Sequence, residues 1–227
     1  MWAVIKKEFK SYFLSPIGYV VVGVLLFVFS IFFYLTTIQN GSVDLSSLYY
    51  YVALYGLIIA APILTMRMFA EERKSGTEQL ILTTPISITK LVFGKLLASL
   101  GVIVITLLIS FIYFAIVSYF GNVNLVTLIV SMIGFILVST AAISVGMLAS
   151  SITENQVIAA IITIAFLIMS VFFENINSLL GNLSVISFYE KFPSGVVSFG
   201  EVAGSVSFSI VFIALTIIVM QRRKSLK

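Results

Sequence analysis

Residues 96–153 read LLASLGVIVITLLISFIYFAIVSYFGNVNLVTLIVSMIGFILVSTAAISVGMLASSIT, 58 residues without one charged side chain. A single helix of that length would reach about 87 Å, against a bilayer hydrocarbon core of about 30 Å. The run must therefore fold back, and Gly121-Asn-Val-Asn124 supplies the turn signal. This predicts two membrane-spanning helices, 91–120 and 125–150, joined by a tight connection.

The same logic extends outward. Charged side chains are poorly tolerated in hydrocarbon, so spans must lie inside uncharged runs. The remaining runs are 11–43, 45–66, 155–173, 175–189 and 202–221. They predict further spans at 17–38, 48–68, 155–173 and 202–221, six in all. Run 175–189 is short and contains Asn175, Asn177, Gly181 and Asn182. It reads as part of an outer interfacial or re-entrant segment over 174–201.

Composition agrees. Of 227 residues, 60% are hydrophobic and 10% charged, against about 25% charged in soluble domains. There is no Cys or His, which excludes disulfides, thiolate nucleophiles, Cys/His metal sites and Ser-His catalysis. Asp44 is the sole Asp, so an intramembrane aspartyl pair is excluded too. No metal or cofactor site is expected in this chain.

Charge placement orients the spans. Lys6, Lys7 and Lys10 precede the first span. Arg67, Arg73, Lys74, Lys90 and Lys95 lie between the second and third, and Arg222, Arg223, Lys224 and Lys227 follow the sixth. With six spans, twelve of the 13 cations fall on one side and only Lys191 on the other. The positive-inside rule then puts both termini in the cytoplasm. The first apolar stretch exceeds a signal-peptide core and no A-x-A site follows, so it reads as retained.

Residues 2–14, WAVIKKEFKSYFL, form a separate element. At 100° per residue, Trp2, Ile5, Phe9, Tyr12 and Phe13 fall within an arc of about 100°. The three lysines and Glu8 lie elsewhere on the wheel. This predicts an amphipathic helix over 1–15, lying on the membrane surface with its aromatic face among lipid headgroups. Ser15-Pro16 breaks it from the first span.

Span 4 carries Ser139, Ala142, Gly146 and Ala149 at helical spacing, a face that allows close approach of another helix. The approaching helix could belong to the same subunit or to a second one.

The loop MRMFAEERKSGTEQLILTTPISITKLVFGK, residues 66–95, holds eight of the 22 charged residues. Ser75-x-x-Glu78 has the pattern of a capping box, which predicts a helix starting near Gly76. Leu80, Ile81 and Leu82 give it an apolar face, and Thr83-Thr84-Pro85 ends it. Spacing alone does not separate a docking element from a solvated turn.

Phe69–Ser87, FAEERKSGTEQLILTTPIS, resembles the corresponding loop of type-2 ABC-transporter permeases. The similarity is greatest to the subgroup of gliding-motility permeases and the permease of nitrous-oxide reductase maturation. Pro62–Arg67, Ser15–Tyr19 and Phe188–Gly195 also resemble that subgroup. The resemblance implies an all-α, six-span polytopic membrane protein with an N-terminal interfacial helix. It also implies a cytoplasmic coupling helix, within loop 69–87, that sits in a cleft of a separate ATPase subunit. By position, Glu71, Glu72 and Arg73 would make polar contacts there, and Gly76 would permit a tight turn. Thr77 lies in the same motif, Glu78 would cap the helix and Leu82 would fill an apolar pocket.

No G-x-x-x-x-G-K-[ST] phosphate loop occurs, so the chain is not expected to be an enzyme by itself. ATP and Mg would be bound by two copies of the partner ATPase. A second permease, identical or related, and membrane lipid complete the implied partners; nucleic acid is not among them. The implied role is an exporter subunit in a prokaryotic inner membrane. Two other readings remain: an energy-independent channel or carrier, and the membrane anchor of a non-transporting ABC complex.

Overall fold

A computed structural model describes residues 2–79, 87–176 and 184–225. The chain forms a bundle in which six helices are long and apolar enough to cross a membrane, and no strand occurs among the described residues. Helix α1 spans Trp2–Leu14 and ends at Ser15. Helix α2, Pro16–Ile38, starts with Pro at its first position, where the missing N–H is harmless. The turn between them is tight: a Cβ on Gly18 would lie 2.7 Å from the Tyr12 carbonyl oxygen.

Helix α3 is built from Ser46–Tyr51, a π-helical stretch Val52–Gly56 and Leu57–Thr65. Pro62 lies inside it and cannot donate to the carbonyl four residues back. A short helix α4, Ala70–Lys74, follows. Then come α5, Ile88–Phe120, and α6, Leu125–Ile152. Helix α7 is Gln156–Ile176, and α8 is Phe199–Ser225. Two 3-10 turns, Ile186–Tyr189 and Phe192–Ser194, lead into α8. The turn after α5 is Gly121–Asn124, and the Asn124 side chain accepts from the Val126 N–H to cap α6.

Helix α6 is the centre of the bundle, touching α3, α5, α7, α8 and both 3-10 turns. Its small residues explain why. Ser139, Ala142, Gly146 and Ala149 are all buried within this one chain. A Cβ on Gly146 would sit 2.1 Å from Thr65 Oγ1, so α3 and α6 approach backbone to side chain. The small-residue face of span 4 therefore packs against span 2 of the same subunit. At the opposite end of α6, a Cβ on Gly134 would lie 2.3 Å from the Phe192 ring. In lipid, such close packing supplies dispersion contacts that the hydrophobic effect does not.

Buried polar groups are spent on neighbouring helices. Tyr49 Oη lies 3.2 Å from Ser110 Oγ, Tyr189 donates to the Ser131 carbonyl at 3.0 Å, and Tyr12 donates to the Leu64 carbonyl at 3.1 Å. Burial, reinforced by the nearby Glu8 carboxylate, raises the pKa of the Tyr12 phenol well above its ordinary value, so it stays a donor. Aromatic rings run across the bundle from Phe29 through Phe135 and Tyr189 to Phe192, with successive centroids 6.1–6.3 Å apart.

Replacing Gly146 by Val should destabilise the solubilised protein by about 1–3 kcal/mol through overpacking. Thermal denaturation measures it, and Thr65→Ala, which removes the nearest atom, should restore part of the loss.

Candidate functional site

The segment between α3 and α5 begins with a turn over 66–69 that feeds α4. The first N–H groups of a helix have no partner of their own. Here the Phe69 and Ala70 N–H groups both donate to Ser150 Oγ of α6, each at 3.1 Å. The same hydroxyl donates to the Met66 carbonyl at 3.2 Å. Helix α4 carries Glu71 and Glu72 in its first turn and Arg73 and Lys74 in its last. Both choices suit the helix dipole.

Each of the first three charges has an intramolecular partner. Glu71 forms a forked pair with Arg67, whose Nη2 donates at 2.8 Å while Nε holds the other oxygen. Glu72 accepts from Lys95 Nζ of α5 at 2.7 Å. Arg73 Nε lies 2.8 Å from Glu154, and its Nη1 donates to the Ile152 carbonyl at 2.9 Å. That carbonyl also accepts from Arg223 of α8 at 3.2 Å. Two arginines thus satisfy an orphan carbonyl at the C-terminus of α6. Arg223 also pairs with Glu78 at 3.4 Å.

Lys95 is the hub. It is 2% exposed, and its ammonium also lies 3.3 Å from Glu8 of α1 and 5.3 Å above the Phe69 ring. One buried cation thereby ties together α1, α4 and α5. Helix α1 is seated on α5 beside it. A Cβ on Gly94 would meet Val4 at 2.8 Å, and one on Gly101 would meet the Phe9 ring at 2.9 Å.

The sequence reading grouped Trp2, Ile5, Phe9 and Phe13 as one lipid-facing stripe. Ile5, Phe9 and Phe13 are half-buried, with Phe9 on α5, and Trp2 is 76% exposed. The side of α1 turned to the bundle also carries Glu8 and Tyr12. A cavity of about 460 Å³ separates α1 from the α4 segment, lined by Lys7, Glu8, Arg67, Glu71, Glu72 and Thr77 among others.

The expected capping box does not form. Ser75 is at φ −81°, ψ −5°, the end of α4, so its hydroxyl points back and donates to the Glu72 carbonyl at 3.2 Å. It also meets the Thr77 hydroxyl at 2.9 Å. The chain reverses at Gly76, whose φ of +73° favours glycine. Residues 77–79 are helical, and Glu78 turns toward Arg223 rather than back to Ser75. Lys74, Ser75, Gly76, Thr77 and Gln79 are the exposed part of the described segment. Leu82, with the apolar face and the stop expected at 80–85, lies outside the described residues.

Sequence reasoning missed Lys95, Glu8, Ser150 and Arg223. Two of them left a signal. Lys95 is the only charge within the apolar helix α5 beyond its first turn, and Glu8 is the only acid among the lysines of α1. Ser150 and Arg223 left none, since their roles depend on which helix lies beside which.

Lys95→Met and Glu72→Gln should each destabilise the protein, and the pair should be non-additive by about 0.5–3 kcal/mol, as expected for two buried groups in contact. Denaturation of the two single variants and the double variant in detergent reads this coupling.

No curated protein matches the chain significantly. The family described as ABC-2 family transporter protein matches residues 2–190. That stretch takes in α1, the first five spans and the ion-paired junction apart from Arg223, and it leaves out α8. The chain therefore belongs to the ABC-2 family of transporter proteins.

Proposed function

We propose that this chain is the permease subunit of an ATP-driven exporter, coupled through residues 69–87 to a separate ATPase subunit. The observation that carries this reading is the construction of the α4 segment. It is bonded on one side to α1 and α5 through Lys95, and on the other to α6 and α8 through Ser150, Arg73 and Arg223. Its tip, Lys74–Thr77 with Gln79, is exposed at the end of the bundle that also carries Glu8 of α1 and Arg223 of α8. A force applied to that tip reaches four helices through short polar contacts. Glu71, Glu72 and Arg73 then act less as docking contacts than as struts, and the tip makes the contact.

The partner would be two copies of an ATP-binding-cassette subunit that bind ATP and Mg. The chain itself has no phosphate-binding loop. Nucleotide binding favours one arrangement of the spans only to the extent that the two arrangements bind it differently. A second permease subunit, identical or related, would complete the pathway. The distribution of twelve cations to one supports cytoplasmic termini, and the membrane of this reading is a prokaryotic inner membrane. The stretch Phe69–Ser87 supports the gliding-motility and nitrous-oxide-reductase-maturation subgroup as the nearest functional class.

The test is co-purification with the ATP-binding-cassette subunits encoded in the same genome. Lys74→Glu with Gln79→Arg should cut capture at least about tenfold, equivalent to about 1.4 kcal/mol, with no change in melting temperature. Capture that is absent for the wild type, or unchanged in the variant, removes this reading.

A further inference from the structure

We propose that α1 carries a binding surface for anionic phospholipid headgroups, formed by Lys6, Lys7 and Lys10 and flanked by Trp2 and Leu14. The argument starts from how α1 sorts its charges. Glu8, its one carboxylate, is turned into the bundle and bound to Lys95 at 3.3 Å. The three lysines face outward within an arc of about 100° on the helical wheel. Lys6 and Lys10 are exposed and have no carboxylate partner among the described residues. Lys7 Nζ is 3.9 Å from Glu8 and its side chain is 70% exposed. Folding has therefore withdrawn the one negative charge and left a uniformly positive outer face.

Connectivity sets the depth of that face. Ser15 alone separates α1 from Pro16, the first residue of a membrane-spanning helix. Helix α1 thus lies at the level of the headgroups. Trp2, 76% exposed, and Leu14, 77% exposed, sit at its two ends. Apolar ends beside a cationic face are the features of a helix held in a charged interface. An anionic surface complements this face, and each lysine near such a surface adds about a fivefold preference.

The neighbouring 460 Å³ cavity is a poorer anion site. Of its cations, Arg67 and Lys95 are already bonded to Glu71, Glu72 and Glu8, and Lys7 lies 3.9 Å from Glu8. On the outer face of α1, Lys6 and Lys10 keep their charges unspent.

Trp2 is the only tryptophan in the chain, so its fluorescence reports on α1 alone. The full chain would be reconstituted in vesicles of phosphatidylcholine and phosphatidylglycerol of one fixed composition. Brominated acyl chains would be carried by one lipid or by the other. Per labelled lipid, phosphatidylglycerol should quench Trp2 at least about twofold more than phosphatidylcholine. The excess should vanish in Lys6→Gln/Lys10→Gln and at high salt, and persist in Lys90→Gln/Lys224→Gln. Equal quenching by the two lipids overturns the proposal, as does an excess that survives the α1 substitutions. No ATPase enters the measurement, so its outcome is independent of the transport reading.

Discussion

A buried ammonium group is unstable unless carboxylates surround it, and Lys95 obtains them from two other parts of the chain. That requirement organises the basic end of the bundle. Glu8 must come from α1, so α1 must lie along α5. Glu72 must come from α4, so the turn after α3 must bring α4 beneath α5. Gly94 and Gly101 allow the first approach by leaving room for Val4 and Phe9. The Ser150 hydroxyl allows the second by satisfying the start of α4. Without Lys95, the half-buried carboxylates of Glu8 and Glu72 would lose the cation they share.

The remainder of the bundle answers a different constraint. Helices in lipid gain little from burying apolar surface, so they depend on close fit and on hydrogen bonds between them. Helix α6 supplies both. Gly134 and Gly146 admit Phe192 and Thr65. Ser131 and Ser150 bond to backbone outside the helix, Ser131 to the carbonyls of Phe192 and Pro193. The anchoring of α4 and the packing of α3 therefore share one helix: the residue that caps α4 lies four positions from the glycine that seats α3.

The two levels of description differ most in the 66–95 loop. Its charge density and its glycine were plain in the sequence, and the φ of +73° at Gly76 suits the turn expected there. The capping box was misread because S-x-x-E has the same spelling whether Ser closes one helix or opens the next. Five residues of α4 precede it, a helix too short to show a period. The charges of the E-E-R motif looked available to a partner, because a sequence displays charges without their counter-charges. Their partners lie four, 23 and 81 positions away, at Arg67, Lys95 and Glu154.

The sequence by itself determined that this is an all-helical membrane protein with six spans and a basic end. Hydropathy and the exclusion of charge from lipid are local properties of successive residues, so they survive without coordinates. Only the tertiary structure decided which charges are spent and which are free. Burial and pairing depend on elements distant in the chain, and Lys95 reads in isolation as one more flanking lysine. The division of α1 into an inner side with Glu8 and an outer side with its lysines has the same origin. A helical wheel orders the side chains, but only a neighbouring helix determines which of them face inward.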